Sequence, residues 1–206
     1  MRSWRQASQA FGILGSLATS GCGVAGPPPQ SYVLGDAVKP SAGDAFLPIG
    51  PTVLVRPVRV PDYLDTMDIL WRRDDGRIIA SQSGRWGERL SRGIGDAVAG
   101  DLQQMLPHTV VTTSGSQQSP QLQIMIDIQT LDLPSHGPCV LAGRWSIWPG
   151  EGGRMLHGEE VLLTTPVNGT ADTDAVAAIN RQVNQLILRI APVLAADLTH
   201  PQVATP

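Results

Sequence analysis

One stretch constrains this 206-residue chain more than any other: residues 121–133, where Leu122, Ile124, Ile126 and Ile128 alternate with Gln123, Met125, Asp127 and Gln129. A period of two puts the four aliphatics on one face of a β-strand and the polar set on the other. Such a strand has one dry face, and something must cover it. Residues 140–148 and 154–165 are two further β-rich runs, the second entered through the turn Pro149-Gly150-Glu151-Gly152-Gly153. Three long strands in short-loop succession predict an antiparallel meander.

The cover is written on both sides of the meander. Leu90, Ile94, Val98, Leu102 and Leu106 recur at i+4, with Ala97 and Met105 widening the stripe and Pro107 ending it. This predicts a helix from about Glu88. Gly93, Gly95 and Gly100 each lower its intrinsic propensity by up to ~1 kcal/mol, so packing must hold it. A second helix is predicted from Asp172 or Thr173 to about Asp197, with Val176, Ile179, Val183, Leu186, Ile187, Ile190 and Leu194 as its stripe. Pro192 lies inside it and predicts a kink or break near Ile190. The fold class is therefore α+β: a two-layer sandwich, a mainly antiparallel sheet with two long amphipathic helices packed on one face.

Shorter elements precede the first helix. Tyr32-Val33-Leu34 reads as a short strand, and residues 52–60 as a strand interrupted by Pro57, hence an edge strand or one that bends there. Pro61-Asp62-Tyr63-Leu64-Asp65 makes a turn, and residues 69–72 and 77–80 flank the hairpin loop Arg73-Asp74-Asp75-Gly76. Residues 110–113 form another short strand.

The N-terminus reads as an address. Arg2 and Arg5 precede a weakly apolar stretch from Ala10 to Ala18, and small residues then lead into Cys22, the form of an export signal. A Cys directly after small residues resembles the bacterial lipobox, in which that Cys is acylated and becomes the mature N-terminus. Thr19 stands where the lipobox usually has Leu, and the other reading is an ordinary signal cut near Ala25. The resemblance makes residues 1–21 a lipoprotein signal peptide and Cys22 the lipidation site. Residues 22–30 then form a Gly/Pro tether, 31–198 one domain and 199–206 a tail. Gly23, in place of an acidic residue, resembles an outer-membrane sorting address.

Composition excludes several functions. A net charge of −3 gives no surface for nucleic-acid phosphates, so no nucleic-acid partner is expected. No apolar run reaches the ~18 residues of a membrane span. The four histidines, His108, His136, His157 and His200, share no metal-ligand spacing, and the nucleophile-elbow, metalloprotease and phosphate-loop motifs are all absent. Asp62, Asp65 and Asp68 lack the glycine and terminal Glu of a calcium loop and read as acidic turn residues facing water. Cys139, flanked by Pro138 and Val140, reads as a buried thiol. No catalytic residue, cofactor or metal is expected. A hydrolase built from Asp62, His108 or His157 is the weakest reading.

The tryptophans say more. Trp71, Trp86 and Trp145 each adjoin Arg, which suits either core-edge residues or interface anchors. Several segments together resemble a known family. Val58-Arg59-Val60-Pro61-Asp62-Tyr63-Leu64-Asp65 is similar to the V-x-V-P-D-Y-L turn of the PqiC-like, or YmbA-like, auxiliary lipoproteins of ABC-type and MCE transport systems. Arg85-Trp86-Gly87-Glu88-Arg89-Leu90 is similar to that family's R-W-A-E-P-L, with Gly87 for Ala and Arg89 for Pro. Gly143-Arg144-Trp145 and Tyr32-Val33-Leu34 resemble its G-x-W and Y-x-L segments.

The resemblance implies a lipid-anchored envelope protein that binds an MCE-domain periplasmic partner. The associated transporter would move lipids or other apolar molecules. It implies fold and contact residues, not catalysis, with Pro61, Asp62, Tyr63, Arg85, Trp86 and Trp145 as the candidate interface and a homo-oligomer as an open question. The alternative function is a structural or stress-related envelope lipoprotein without a transporter.

Overall fold

The computed structural model describes residues 28–35, 50–115 and 119–199. The expected signal peptide, Cys22, the tether up to residue 27, His200 and the rest of the tail lie outside the described residues. In chain order the elements are β1 (Gln30–Tyr32), β2 (Thr52–Val55), β3 (Asp68–Arg72), β4 (Ile78–Trp86), α1 (Leu90–Met105), β5 (Val110–Thr112), β6 (Leu122–Asp132), β7 (Pro138–Pro149), β8 (His157–Pro166) and α2 (Asp172–Thr199).

The meander forms as expected. β6 pairs antiparallel with β7, and β7 with β8. The strands join a five-stranded sheet of order β5-β2-β6-β7-β8, while β1-β4-β3 make a second, smaller sheet. The fold is α+β, with both helices on the apolar face of the larger sheet; α2 also reaches β4 of the smaller one. The core is continuous: Ile124, Ile126 and Ile128 of β6, Leu141, Trp145 and Ile147 of β7, and Leu163 of β8 are all buried under Ile94, Val98 and Leu102 of α1 and Leu186, Ile187, Ile190 and Leu194 of α2.

The alternation in β6 changes phase where the chain needs it to. Leu131 and Leu133 are buried although they are out of step with Ile128. A bulge between Ile128 and Thr130 inserts the extra residue and restores the inward face. Gly143 lies opposite Ile128, and a Cβ there would stand 2.4 Å from the Asp127 carbonyl oxygen, so only glycine lets β7 close against the bulge.

Three expectations change. β2 is not an edge strand, because it lies between β5 and β6 and pairs parallel with both. Of the two readings of Pro57, the bend is the one found: β2 stops at Val55, and the chain rejoins β6 at Arg59, whose N–H donates to Ile126 O at 3.0 Å. Pro57 thus stands outside the ladder, where its missing N–H costs nothing.

The second change is in α2, which is not broken at Pro192 but runs continuously from Asp172 to Thr199. The hydrogen bond that Pro192 cannot donate belongs to the carbonyl of Leu188, and both residues are on the exposed side of the helix, where water can replace it. The third is β1, which begins at Gln30, inside the segment expected as tether, and pairs parallel with residues 84–86 of β4. Parallel pairings leave no local turn signal, so neither the three-stranded sheet nor the position of β2 shows in the sequence pattern.

Candidate functional site

The two segments that carry most of the family resemblance meet in space. Turn 61–65 is closed by Leu64 N–H to Pro61 O (2.8 Å) and Asp65 N–H to Asp62 O (3.2 Å). It then caps α1 from outside. The Asp65 carboxylate accepts from Ser91 N–H at 3.1 Å, and Thr66 O accepts from Leu90 N–H at 3.3 Å. The residue before the helix, Arg89, makes no side-chain cap and instead donates to Asp65 O at 2.6 Å. Asp65 therefore does not face water as a free acid. It satisfies a helix start and places a negative charge at the positive end of the helix dipole.

The candidate interface residues separate around this joint. Asp62 and Tyr63 are exposed, Tyr63 by 51%, and Pro61 is half-buried at the start of the turn. Arg85 is half-buried, and its guanidinium reaches the Met67 sulfur at 3.3 Å. Trp86 and Trp145 are 4% and 1% exposed, so their rings face the core and offer nothing to a partner in this fold. Trp86 ends β4 with its N–H on Met67 O at 2.7 Å, and Trp145 stacks on His157 with ring centroids 5.1 Å apart. Of the six, Asp62 and Tyr63 are open to a partner, Pro61 and Arg85 are partly so, and the tryptophans belong to the core. His108 and His136 are exposed, His136 with its Nδ1 3.4 Å from Asp74, and no cluster that could hold a metal ion occurs among the described residues.

A second surface went unread in the sequence. On the outer face of the large sheet, cross-strand register lays residues out in rows. One row is Asp127, Arg144 and Glu160; the next is Met125, Ser146 and Gly158. The small residues Ser146 and Gly158 leave a hollow of about 660 Å³, walled by Met125, Trp148 and Met155. Trp148 is fixed in place by its indole N–H donating to Ser146 Oγ at 2.9 Å. At one end Asp127 accepts from Arg144 (2.9 Å) and stands 3.6 Å from Arg59. Arg56 also lines the hollow and makes no side-chain hydrogen bond or ion pair among the described residues. Alternation named Met125 and Asp127 as outward-facing, but only the register shows that the small residues Ser146 and Gly158 adjoin beside them.

Cys139 is not part of either surface. Its thiol donates to Gln182 Oε1 at 3.3 Å, Gln182 Nε2 donates back to Cys139 O at 2.7 Å, and burial pushes the thiol pKa up to about 12. The pair ties α2 to β7.

Residues 32–191 match the family of ABC-type transport auxiliary lipoprotein components. The chain belongs to that family. Its role is accordingly that of an auxiliary component of a transport system on the periplasmic side of the envelope, and not that of an enzyme. No curated protein matches the sequence. Among solved structures, the chain is similar to a crystal structure of an uncharacterized protein (TM-score 0.65, 16% identity, covering 82% of this chain and 99% of that one). It is also similar to protein XCC0632 from Xanthomonas campestris (TM-score 0.58, 13% identity, 85% and 96% covered). These likenesses bear on the fold alone. A more distant likeness is to the PelC dodecamer from Paraburkholderia phytofirmans (TM-score 0.40, 9% identity, 64% and 85% covered).

Proposed function

We propose that this lipoprotein is anchored through an acylated Cys22 at the periplasmic face of the outer membrane. Residues 22–29 tether its one domain, which begins with β1 at Gln30 and runs to about residue 198. It binds an MCE-domain periplasmic protein and so serves a transporter of lipids or other apolar molecules. The match of nearly the whole domain to the auxiliary lipoprotein family carries this reading. The exposed Asp62 and Tyr63 support contact with the partner through the 61–65 turn, since tyrosine is enriched at interfaces.

Co-purification from detergent-solubilised membranes tests it. An MCE-domain protein is expected with the wild type and is expected to diminish with Tyr63→Ala. Its reproducible absence, with the lipoprotein intact, refutes the transport partnership and favours a structural envelope role. Intact mass tests the anchor: the mature chain should exceed the polypeptide beginning at Cys22 by a diacylglyceryl group and one acyl chain, and Cys22→Ser should leave an uncleaved precursor. A bare chain starting beyond Cys22 overturns that part.

A further inference from the structure

We infer that the hollow on the outer face of the large sheet is a binding site for a single-chain amphiphile with an anionic head. This rests on the transport reading only for the source of such a ligand; the geometry is independent of it.

The shape comes from register. Met125, Ser146 and Gly158 stand side by side on three adjacent strands. The middle and outer positions are nearly without side chain, so the pleated surface sinks there. Met155 leans over Gly158 from the β7–β8 loop, its sulfur 2.9 Å from where a Cβ on that glycine would be. Met125 and Met155 remain 38% and 44% exposed, and Trp148 presents an apolar ring whose one polar atom is already bonded to Ser146. Two thioethers and an indole make an adaptable wall for an alkyl chain. The volume of about 660 Å³ lies within the roughly 300–1,000 Å³ usual for small-molecule sites.

Charge sets the head group. Arg56, Arg59 and Arg144 line the hollow together with Asp127, Glu159 and Glu160, and Glu159 is neutralised by Arg189 from outside it, which leaves three guanidiniums against two carboxylates. Asp127 is already engaged: Arg144 spends its Nε and one terminal nitrogen on Asp127 Oδ2, at 3.2 and 2.9 Å. Arg59 forms only a long ion pair with the same oxygen, at 3.6 Å, and Arg56 makes no side-chain hydrogen bond or ion pair among the described residues. An incoming anion thus meets the unpaired guanidinium of Arg56 and the loosely held one of Arg59, and such forks suit a carboxylate or a phosphate. In a chain of net charge −3, this surplus of cationic donors beside an exposed apolar wall is a local exception.

The test uses the full lipidated chain in an uncharged detergent. The probe is a long-chain carboxylate carrying a diazirine in its tail, compared with the matching uncharged alcohol. Photolabelled peptides are mapped by mass spectrometry. The carboxylate should label peptides containing Met125, Trp148 or Met155 about tenfold above the alcohol. Gly158→Leu, which drives the flexible Met155 into the hollow, should remove the label, and the exposed pair Arg56→Gln/Arg59→Gln should reduce carboxylate labelling to the level of the alcohol.

Equal labelling by the two probes, label mapping elsewhere, or label unchanged in both variants overturns the assignment. So does full competition by inorganic phosphate, which would make the ligand a free anion. Should Gly158→Leu misfold, the arginine pair decides alone. If the variants lose the MCE-domain partner but keep the label, the hollow is a protein-docking surface and the inference is wrong. If the wild type never co-purifies such a partner but labels as expected, the partnership fails and this site stands.

Discussion

Replacing Asp172 by alanine should be the most destabilising single change at the junction of the two sheets and α2. Asp172 opens α2, is 7% exposed, and accepts from Ser81 Oγ (2.8 Å), Ser83 Oγ (2.7 Å) and Trp71 Nε1 (3.4 Å). Its carboxylate fits because Gly84 has no side chain; a Cβ there would lie 2.6 Å from Asp172 Oδ2. Three donors from β3 and β4 therefore converge on one charge at a helix start. Alanine strands the buried indole N–H, costing about 1–3 kcal/mol, and removes two charge-assisted bonds worth about 1.5–3 kcal/mol each at most. Loss of the anion at the helix N-terminus adds about 0.3–1 kcal/mol.

The serine hydroxyls border a pocket of about 210 Å³ and can recover part of this from water. The net expectation is about 3–5 kcal/mol, or roughly 6–20 °C in Tm for a domain of this size. Asp172→Asn, still able to accept from the indole, should lose about 1–2 kcal/mol. Chemical denaturation of wild type, both variants, Ser83→Ala and the Ser83→Ala/Asp172→Ala double variant gives the coupling directly, expected at about 0.5–3 kcal/mol. A melting temperature for Asp172→Ala within about 2 °C of wild type, or zero coupling to Ser83, refutes the reasoning.

Asp65→Ala should cost about 1–2 kcal/mol through loss of the cap on α1, whereas Asp62→Ala, three residues away and exposed, should stay within about 0.5 kcal/mol; equal melting temperatures count against the cap. Trp86→Ala should cost about 3–5 kcal/mol as a core truncation, while Tyr63→Ala should leave stability almost unchanged and weaken partner co-purification. Should the Trp86 variant instead keep its melting temperature and lose only binding, the core placement is wrong. Cys139 should resist iodoacetamide at pH 8 in the folded chain and react on unfolding. With its thiol raised by burial to about 12, the folded state holds a proton that the unfolded state, with a thiol near its ordinary value of 9.0, releases. Stability should therefore be constant in this respect below pH 9 and fall as pH rises toward 12. A Cys139→Ala variant showing the same alkaline loss shows that another group is responsible.

Local patterns carried the fold far. The i+4 stripe, the alternation in residues 121–133 and the Asp74-Asp75-Gly76 turn each specify an element by spacing alone, and each formed. Parallel pairing did not show, because Thr52–Val55 finds β5 and β6 more than fifty residues later with no turn between them to mark it. Pro57 looked like an edge signal because the ladder skips it, which only the three-dimensional path reveals. The tryptophans were ambiguous for a related reason: Arg-Trp adjacency puts the two side chains on opposite faces of a strand, so Trp86 and Trp145 point inward while Arg85 and Arg144 point out.

That geometry bears on how family motifs should be read here. The turn at 61–65 supplies the cap that α1 lacks, Trp86 and Gly87 tie β4 to β1, and Gly143 lets β7 close over the bulge in β6. Gly87 donates its N–H to Tyr32 O at 2.6 Å, and a Cβ on it would meet Val33 at 3.1 Å. Each motif segment is thus a joint between elements distant in sequence, where residue type is dictated by a backbone contact. The hollow between Met125, Trp148 and Met155 is faced by two outward motif residues, Arg59 and Arg144, and both stand at positions the motifs leave open. Motifs that identify this family identify its scaffold. What distinguishes one member's ligand from another's should be sought on the outward rows of β6, β7 and β8, where side chains answer to no packing constraint and can change without moving the fold.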